Sequence, residues 1–241
     1  MLSGLIVLVC AVPFEGDLIA GAMKRKKDLS DRGALRLRGS LSGRDLLLVI
    51  SGAGKTNAAA ATTLTLQRYA PSLVISFGLG GAYPQSGLRP GDIAVADKEI
   101  YGDEGVILSS GFRDLRFMNL PLVRKGRQVF YNSLPVSDTH LRRLSSALNK
   151  EEIFFRKGPF VTVSTVTGTD ARAEQLRRRY RPVCENMEGA AVAHVSLIRE
   201  VPFLEIRGIS NPVGRRKKRE WRLQDAAISV QDALIRIIDY L

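Results

Sequence analysis

Val183-Cys184-Glu185-Asn186-Met187-Glu188-Gly189-Ala190-Ala191-Val192-Ala193-His194-Val195 reads as a turn leading into a helix of small and branched apolar residues. Glu188 is the odd member. It opens the helix, and one and two turns further on the same face carries Val192 and Val195, which are expected in the core. A carboxylate at a helix N-terminus is favoured by the backbone N–H groups and the helix dipole. Once ionised it only accepts hydrogen bonds. It therefore suits a ligand that brings paired hydroxyls, such as the 2′,3′-diol of a ribose. The competing reading is an ordinary helix charge facing solvent.

Outward from this stretch, strands alternate with helices. Towards the C-terminus, Pro202 to Ile209 predicts a strand with Glu205 and Arg207 on its polar alternation. It runs into Ser210-Asn211, and the last helix is expected over Leu223 to Tyr240. Towards the N-terminus, Thr167-Gly168-Thr169-Asp170 caps a helix over Ala171 to Tyr180 and ends a strand over Pro159 to Val166. Thr139 to Leu148 predicts a helix, and Gly105 to Gln128 a long loop with few regular signals. Ile93 to Ala96 is a strand after the turn Pro90-Gly91-Asp92.

Leu73 to Phe77 is a central strand, broken by Gly78-Leu79-Gly80-Gly81-Ala82. Glycines there, Gly80 and Gly81 among them, let a ligand lie against main-chain N–H groups. Leu46 to Ile50 and Leu5 to Val12 are continuous apolar runs, as buried parallel strands tend to be. Lys24 to Ser42 between them reads as a hairpin. Pro13 ends the first strand and leaves Glu15 at its carboxyl end, where open α/β sheets place their ligands. The fold class that follows is α/β: a single domain over residues 1–241, with a twisted, mostly parallel sheet flanked by helices.

Ser51-Gly52-Ala53-Gly54-Lys55-Thr56 imitates a phosphate loop. A Walker loop needs a glycine five positions before Gly54, where Val49 stands inside the strand. The loop is too short to wrap a triphosphate, so a tight strand-to-helix turn is expected instead.

The net charge of +12 and a pI of about 10.1 point to an acidic partner or substrate. The basic residues lie in short scattered runs without interleaved aromatics, and no binding motif accompanies them, which argues against nucleic acid. Two cysteines, Cys10 and Cys184, lack a pairing or metal spacing, and a reduced, cytoplasmic chain is expected. No stretch is long enough to span a membrane. No metal or cofactor is expected.

Four segments recur together in a known order. They are the acidic turn after the first strand, SGAGKTNAAAATT, FGLGGAYPQSGLRPGDIAVADKEIYGDEG, and NMEGAAVAHV followed by VPFLEIRGISN. Together they resemble the nucleoside phosphorylase/nucleosidase superfamily, on the branch that holds the methylthioadenosine/S-adenosylhomocysteine nucleosidases. The phrases at 185–195 and 203–211 are most similar to its futalosine-hydrolysing members.

The resemblance implies cleavage of an N-glycosidic bond by water. Glu15 matches the water-activating glutamate, Glu188 the diol ligand, and Met187 the residue beneath the sugar. Asn186, Gly80 and Gly81 fall in the substrate-binding set. Asn211 stands where adenine-releasing relatives carry aspartate. An amide donates to a carbonyl O6 and accepts from a protonated N7, so asparagine favours a 6-oxopurine. Ser76 and Leu79 stand where phosphorolytic relatives place an arginine and a serine, which favours water over phosphate.

The implied partner is a small nucleoside with an acidic 5′ arm, for which Arg215 and Lys217 are candidate cations. The run from Arg215 to Arg219 replaces the Pro-Arg-Asp phrase usual in relatives. Trp221 after it either closes the loop over the site or anchors it to the core, with the anchor favoured. The resemblance also implies a homo-oligomer, with Tyr101 and Asp103 near the interface.

Overall fold

The computed structural model describes residues 4–31, 34–215 and 218–241. In chain order the strands are β1 (Ile6–Cys10), β2 (Lys24–Asp28), β3 (Leu35–Leu41), β4 (Arg44–Ile50), β5 (Leu73–Ala82), β6 (Ile93–Tyr101), β7 (Gly105–Leu108), β8 (Gly111–Asp114), β9 (Val123–Lys125), β10 (Gln128–Phe130), β11 (Ser133–Pro135), β12 (Phe155–Thr162), β13 (Cys184–Asn186) and β14 (Phe203–Pro212). The helices are α1 (Asp17–Ala22), α2 (Lys55–Arg68), α3 (Asp138–Lys150), α4 (Asp170–Tyr180), α5 (Gly189–Ile198) and α6 (Leu223–Ile237).

The main sheet runs β11-β6-β12-β13-β5-β1-β4-β3-β2, and β14 pairs with both β5 and β6. That double pairing closes β6, β12, β13, β5 and β14 into a ring. The expectation of a mostly parallel sheet is corrected here, because the sheet is mixed. Five of its pairings are parallel and five antiparallel. Closure accounts for two of the antiparallel pairings, since β14 runs parallel to β5 but meets β6 antiparallel and β13 meets the end of β5 antiparallel, and the pairings β11–β6, β2–β3 and β3–β4 add the other three.

The glycines after Phe77 do not break β5, which continues to Ala82. Its glycine half is held on both sides, by β13 and by β14, and lost intrinsic strand preference is outweighed by paired backbone. The expected loop at 105–128 holds two small hairpins, β7–β8 and β9–β10, too short for a periodic signal. The strand placed at 159–166 is shifted to Phe155–Thr162. The turn before α5 contains the three-residue strand β13. The hairpin at 24–42 is present as β2–β3.

Residues of β1, β4, β5 and β14 form one continuous apolar core with α2, α5 and α6. Val192 is fully buried and Val195 nearly so. α2 and α5 pack together, and α6 packs on β14 and β5. Gly208 permits that last contact, since a Cβ there would collide with the Ala226 backbone. Among the described residues no helix is long and apolar enough to cross a membrane.

Candidate active site

The C-terminal ends of β1, β5 and β14, with the β13–α5 junction, surround a cavity of about 270 Å³. Glu15, Gly80, Gly81, Asn186, Met187, Glu188 and Asn211 all line it. The carboxylates, the amides, Met187 and the two glycines singled out from the sequence are thus brought to one place, whereas the candidate cation Arg215 is not among the lining residues.

Glu15 closes the short 3-10 turn Pro13–Glu15 after β1 and is 4% exposed. Its Oε2 accepts the N–H groups of Ala11 (2.9 Å) and Val12 (3.2 Å), and its Oε1 accepts that of Leu79 (2.8 Å). The carboxylate lies against Gly78, whose φ of +140° and missing Cβ make room for it. Burial raises the Glu15 pKa, while Arg207 and the Leu79 and Ala11 N–H groups restrain the rise.

Glu188 is the N-cap residue of α5, but it is not held by that helix's own N–H groups. Its Oε1 accepts the N–H of Gly54 at the start of α2 (2.8 Å), and its Oε2 lies 3.6 Å from Arg207 Nη1. The α5 N-terminus is served by Asn186, whose Oδ1 accepts the N–H groups of Glu188 (3.0 Å) and Gly189 (2.7 Å). Glu188 is 8% exposed, which leaves its remaining acceptor capacity to the cavity rather than to bulk solvent.

Asn211 Oδ1 accepts from Ser210 Oγ (2.8 Å), and its Nδ2 donates to the Pro212 carbonyl (2.9 Å). One donor and one acceptor position stay open. Gly80 permits the Cys184 thiol to pack against β5, and Gly81 faces Val213 and Asn211. Leu79 presents an apolar side chain to the cavity, and Ser76 is buried beneath it, accepting from Arg207 Nη2 (3.1 Å). Lys55 of the SGAGKT turn is paired with Asp103 (2.8 Å) and Glu104 (3.1 Å) and stacks over Tyr101, away from any phosphate role. Trp221, expected to anchor to the core, stands half-buried in the cavity wall. Arg215 is exposed and paired with Asp170 (2.6 Å), and Lys217 lies outside the described residues.

The sequence reading missed a buried polar layer behind the cavity. Arg207, 1% exposed, donates to Glu205 Oε1 (2.8 Å) and to the Leu79 carbonyl (3.3 Å). Burial opposes its charge, and Glu205, Glu188 and Glu15 more than restore it, so its pKa is raised. Glu99 accepts from Asn186 Nδ2 at Oε1 (2.6 Å), and at Oε2 from the Ile100 N–H (3.0 Å) with the Thr162 hydroxyl at 2.8 Å. Glu99 Oε1 and both Glu205 oxygens crowd the position a Gly189 Cβ would occupy. Burial, then the charge of Glu205, pushes the Glu99 carboxyl well above its usual range. Burial raises the Glu205 carboxyl too, but the Arg207 guanidinium restrains that rise, so of the two it is Glu99 that holds a proton more readily. The available signal was Glu205 and Arg207 themselves, two charges in an otherwise apolar strand, which burial obliges to pair.

Glu185 was missed as well. It lines the cavity and is held by Tyr83 and Thr167.

Carboxylates at strand ends, a glycine-lined wall and an amide opposite them define a nucleoside-handling α/β site. The profile of the Phosphorylase superfamily matches residues 5–241, and the chain belongs to that family. A futalosine hydrolase from Streptomyces coelicolor is 33% identical over 243 residues, covering 98% of this chain and 96% of the relative. A 5′-methylthioadenosine/S-adenosylhomocysteine nucleosidase from Listeria monocytogenes is 30% identical over 86% of this chain and 85% of its own. Among solved structures, the nucleosidase of that type from Neisseria meningitidis, in complex with methylthio-immucillin-A, superposes with a TM-score of 0.86. It is 21% identical and covers 98% of this chain and 99% of its own.

Proposed function

We propose that the chain hydrolyses the N-glycosidic bond of futalosine, releasing hypoxanthine and leaving dehypoxanthine futalosine for menaquinone biosynthesis. The observation that carries this reading is the amide at 211. With one donor and one acceptor open, it complements the O6 and protonated N7 of a departing 6-oxopurine. The full-length similarity to futalosine hydrolases supports it.

In the reaction, the C1′–N9 bond breaks and a water oxygen bonds C1′. Glu15 takes the water's proton, and its burial-raised pKa makes it the stronger base. Glu188 accepts the ribose hydroxyls and faces the positive charge developing on the sugar. Met187 packs beneath it. The leaving base takes up a proton from solvent at N7, where the N–H faces the Asn211 oxygen, and the proton accepted by Glu15 returns to solvent. Leu79 supplies no hydroxyl to a phosphate, so water is the nucleophile.

The adenine-releasing activity of the Listeria relative is the second reading, and the neutral amide at 211 weighs against it. The chain is further proposed to act in the cytoplasm as a homo-oligomer. Cys10 and Cys184 are free and buried, which suits a reducing compartment. Exposed Ile107, Phe117 and Leu120 offer apolar surface that a second copy would cover.

The test is turnover without phosphate, offering futalosine, aminodeoxyfutalosine, inosine and methylthioadenosine side by side and identifying the released base. Hypoxanthine from futalosine, unchanged on adding phosphate, is expected. Adenine release as fast from the amino analogue overturns the base assignment.

A further inference from the structure

α5 begins with its first N–H groups already taken by residues outside the helix. Asn186 Oδ1 accepts those of Glu188 (3.0 Å) and Gly189 (2.7 Å), and Thr162 Oγ1 accepts that of Ala190 (2.8 Å). An N-cap side chain ordinarily takes such a group for itself, two or three residues on. Glu188 is the N-cap residue and makes no such bond. Its carboxylate turns instead to the Gly54 N–H and the cavity, with Asn186 and Thr162 serving the helix in its place.

Both of these caps are oriented by one group. Glu99 of β6 is fully buried and does not line the cavity. Its Oε1 accepts from Asn186 Nδ2 (2.6 Å), which fixes that amide with its oxygen towards α5. Its Oε2 lies 2.8 Å from Thr162 Oγ1, which in turn lies 2.9 Å from Asn186 Oδ1. The single hydroxyl proton is used among these three groups, which leaves a lone pair for the Ala190 N–H. The sheet register puts all three side chains on one face. Glu99 pairs with Phe160, two residues before Thr162, and Thr162 pairs with Asn186. Residues two apart along a strand, or opposite across neighbouring strands, share a face. Gly189 lets the first turn of α5 come down onto that face, since a Cβ there would collide with Glu99 Oε1.

We infer that Glu99 is a positioning residue, holding Asn186 and Thr162 as the caps of α5 so that the Glu188 carboxylate stays free for the ribose hydroxyls. This rests on the proposed activity and deepens it. Without the anchor, the Asn186 amide turns, its NH₂ group meets the α5 N–H groups, and the Glu188 carboxylate folds back to cap its own helix. Glu99→Gln removes the anchor with the least change of shape. The new amide oxygen stays with the Ile100 N–H (3.0 Å), so its NH₂ group stands where Oε1 accepted, donor against donor.

The experiment compares futalosine with 2′-deoxyfutalosine on the wild-type enzyme, Glu99→Gln, Glu188→Gln and the double variant. Thermal melts confirm that the variants fold. The intrinsic lability of the deoxy sugar cancels when ratios of kcat/KM are compared between variants. Glu188→Gln should lower the preference for the 2′-hydroxyl by about tenfold or more, because the charged acceptor is lost. Glu99→Gln should lower it by about tenfold as well, although residue 99 touches no substrate. The double variant should show the preference of Glu188→Gln alone, since both changes act through one carboxylate.

A loss of stability slows both substrates alike and leaves the ratio where it was. An unchanged ratio in a folded Glu99→Gln therefore overturns the inference, as does a double variant in which the two losses multiply. If the wild type cleaves no futalosine at all, the activity reading fails. The inference is then decided by calorimetry with inosine and 2′-deoxyinosine, and a ratio of affinities that is the same in the wild type and Glu99→Gln, or no binding of either, overturns it.

Discussion

The rim of the cavity and the layer behind it both present glutamates to Arg207, yet they are built on opposite terms. On the rim, Glu15 and Glu188 are held by backbone N–H groups, those of Leu79 and Gly54 donated from distant parts of the chain and that of Ala11 from the adjoining turn. Each keeps acceptor capacity turned to the cavity. Behind it, Glu99 and Glu205 lie fully buried against each other, Arg207 and Asn186, out of a ligand's reach. The rim glutamates are placed to act on a substrate. The inner pair fixes the guanidinium that the rim shares, and so sets the field in which the rim operates.

The comparison breaks or sharpens under substitution. Glu15→Gln should lower kcat by about 10³-fold with KM changed by less than about threefold, since a base acts in the transition state. Base release followed at saturating substrate measures it, and a loss under about tenfold would deny Glu15 the part of base.

Next in size is the inner pair. Glu205→Gln strands Arg207 and should cost about 3 kcal/mol in urea unfolding. Glu99→Gln should cost only about 1 kcal/mol, the single bond lost from Asn186 Nδ2, because the amide otherwise copies a protonated acid. The pH dependence separates them further. The Glu99 carboxyl binds its proton more tightly folded than unfolded. Its contribution is therefore full below about pH 4.5 and is lost as pH rises through the folded value. Stability of Glu99→Gln should be flatter with rising pH than that of the wild type. Equal costs and parallel pH curves would erase the distinction between rim and inner layer.

A smaller effect concerns the acid limb of kcat/KM. Glu15 must be ionised to accept a proton, so activity falls as pH drops through its pKa, which burial places above 4.5. The charge of Glu188 adds to that rise, so Glu188→Gln should move the limb to lower pH. A limb that stays in place would uncouple the two rim carboxylates. Smallest of all, Lys55→Met should leave kcat within about twofold and cost about 1 kcal/mol or less, since its partners are half-exposed carboxylates outside the cavity. A large kcat loss would restore a catalytic part to the SGAGKT turn.

What the chain spells out locally was readable, and what it builds across distance was not. Apolar runs mark β1, β4 and β5, Glu15 sits just past the end of β1 and Asn211 lies in the last residues of β14, so the cavity's rim follows from the chain order of strands and polar residues. The closure of the sheet does not. It depends on β14 meeting both β5 and β6, which no periodicity encodes. The same closure keeps Gly78 to Ala82 in a strand when composition argues for a loop. Glu188 was placed correctly at its helix start, but its partner, Gly54, lies far away in sequence. Arg207 reads locally as polar alternation because Ser76 and the Leu79 carbonyl approach it only in three dimensions.

Gly189 draws these threads into a matter of inheritance. Its absent Cβ is the space occupied by the carboxyl groups of Glu99 and Glu205. An alanine there forces both acids out, and removing both acids leaves a void that a glycine cannot fill. Positions 99, 189 and 205, on three different segments, are therefore sterically coupled, so that a change at one limits what the other two can carry. A helix α5 transplanted from a relative without its two distant companions arrives with the wrong floor beneath it.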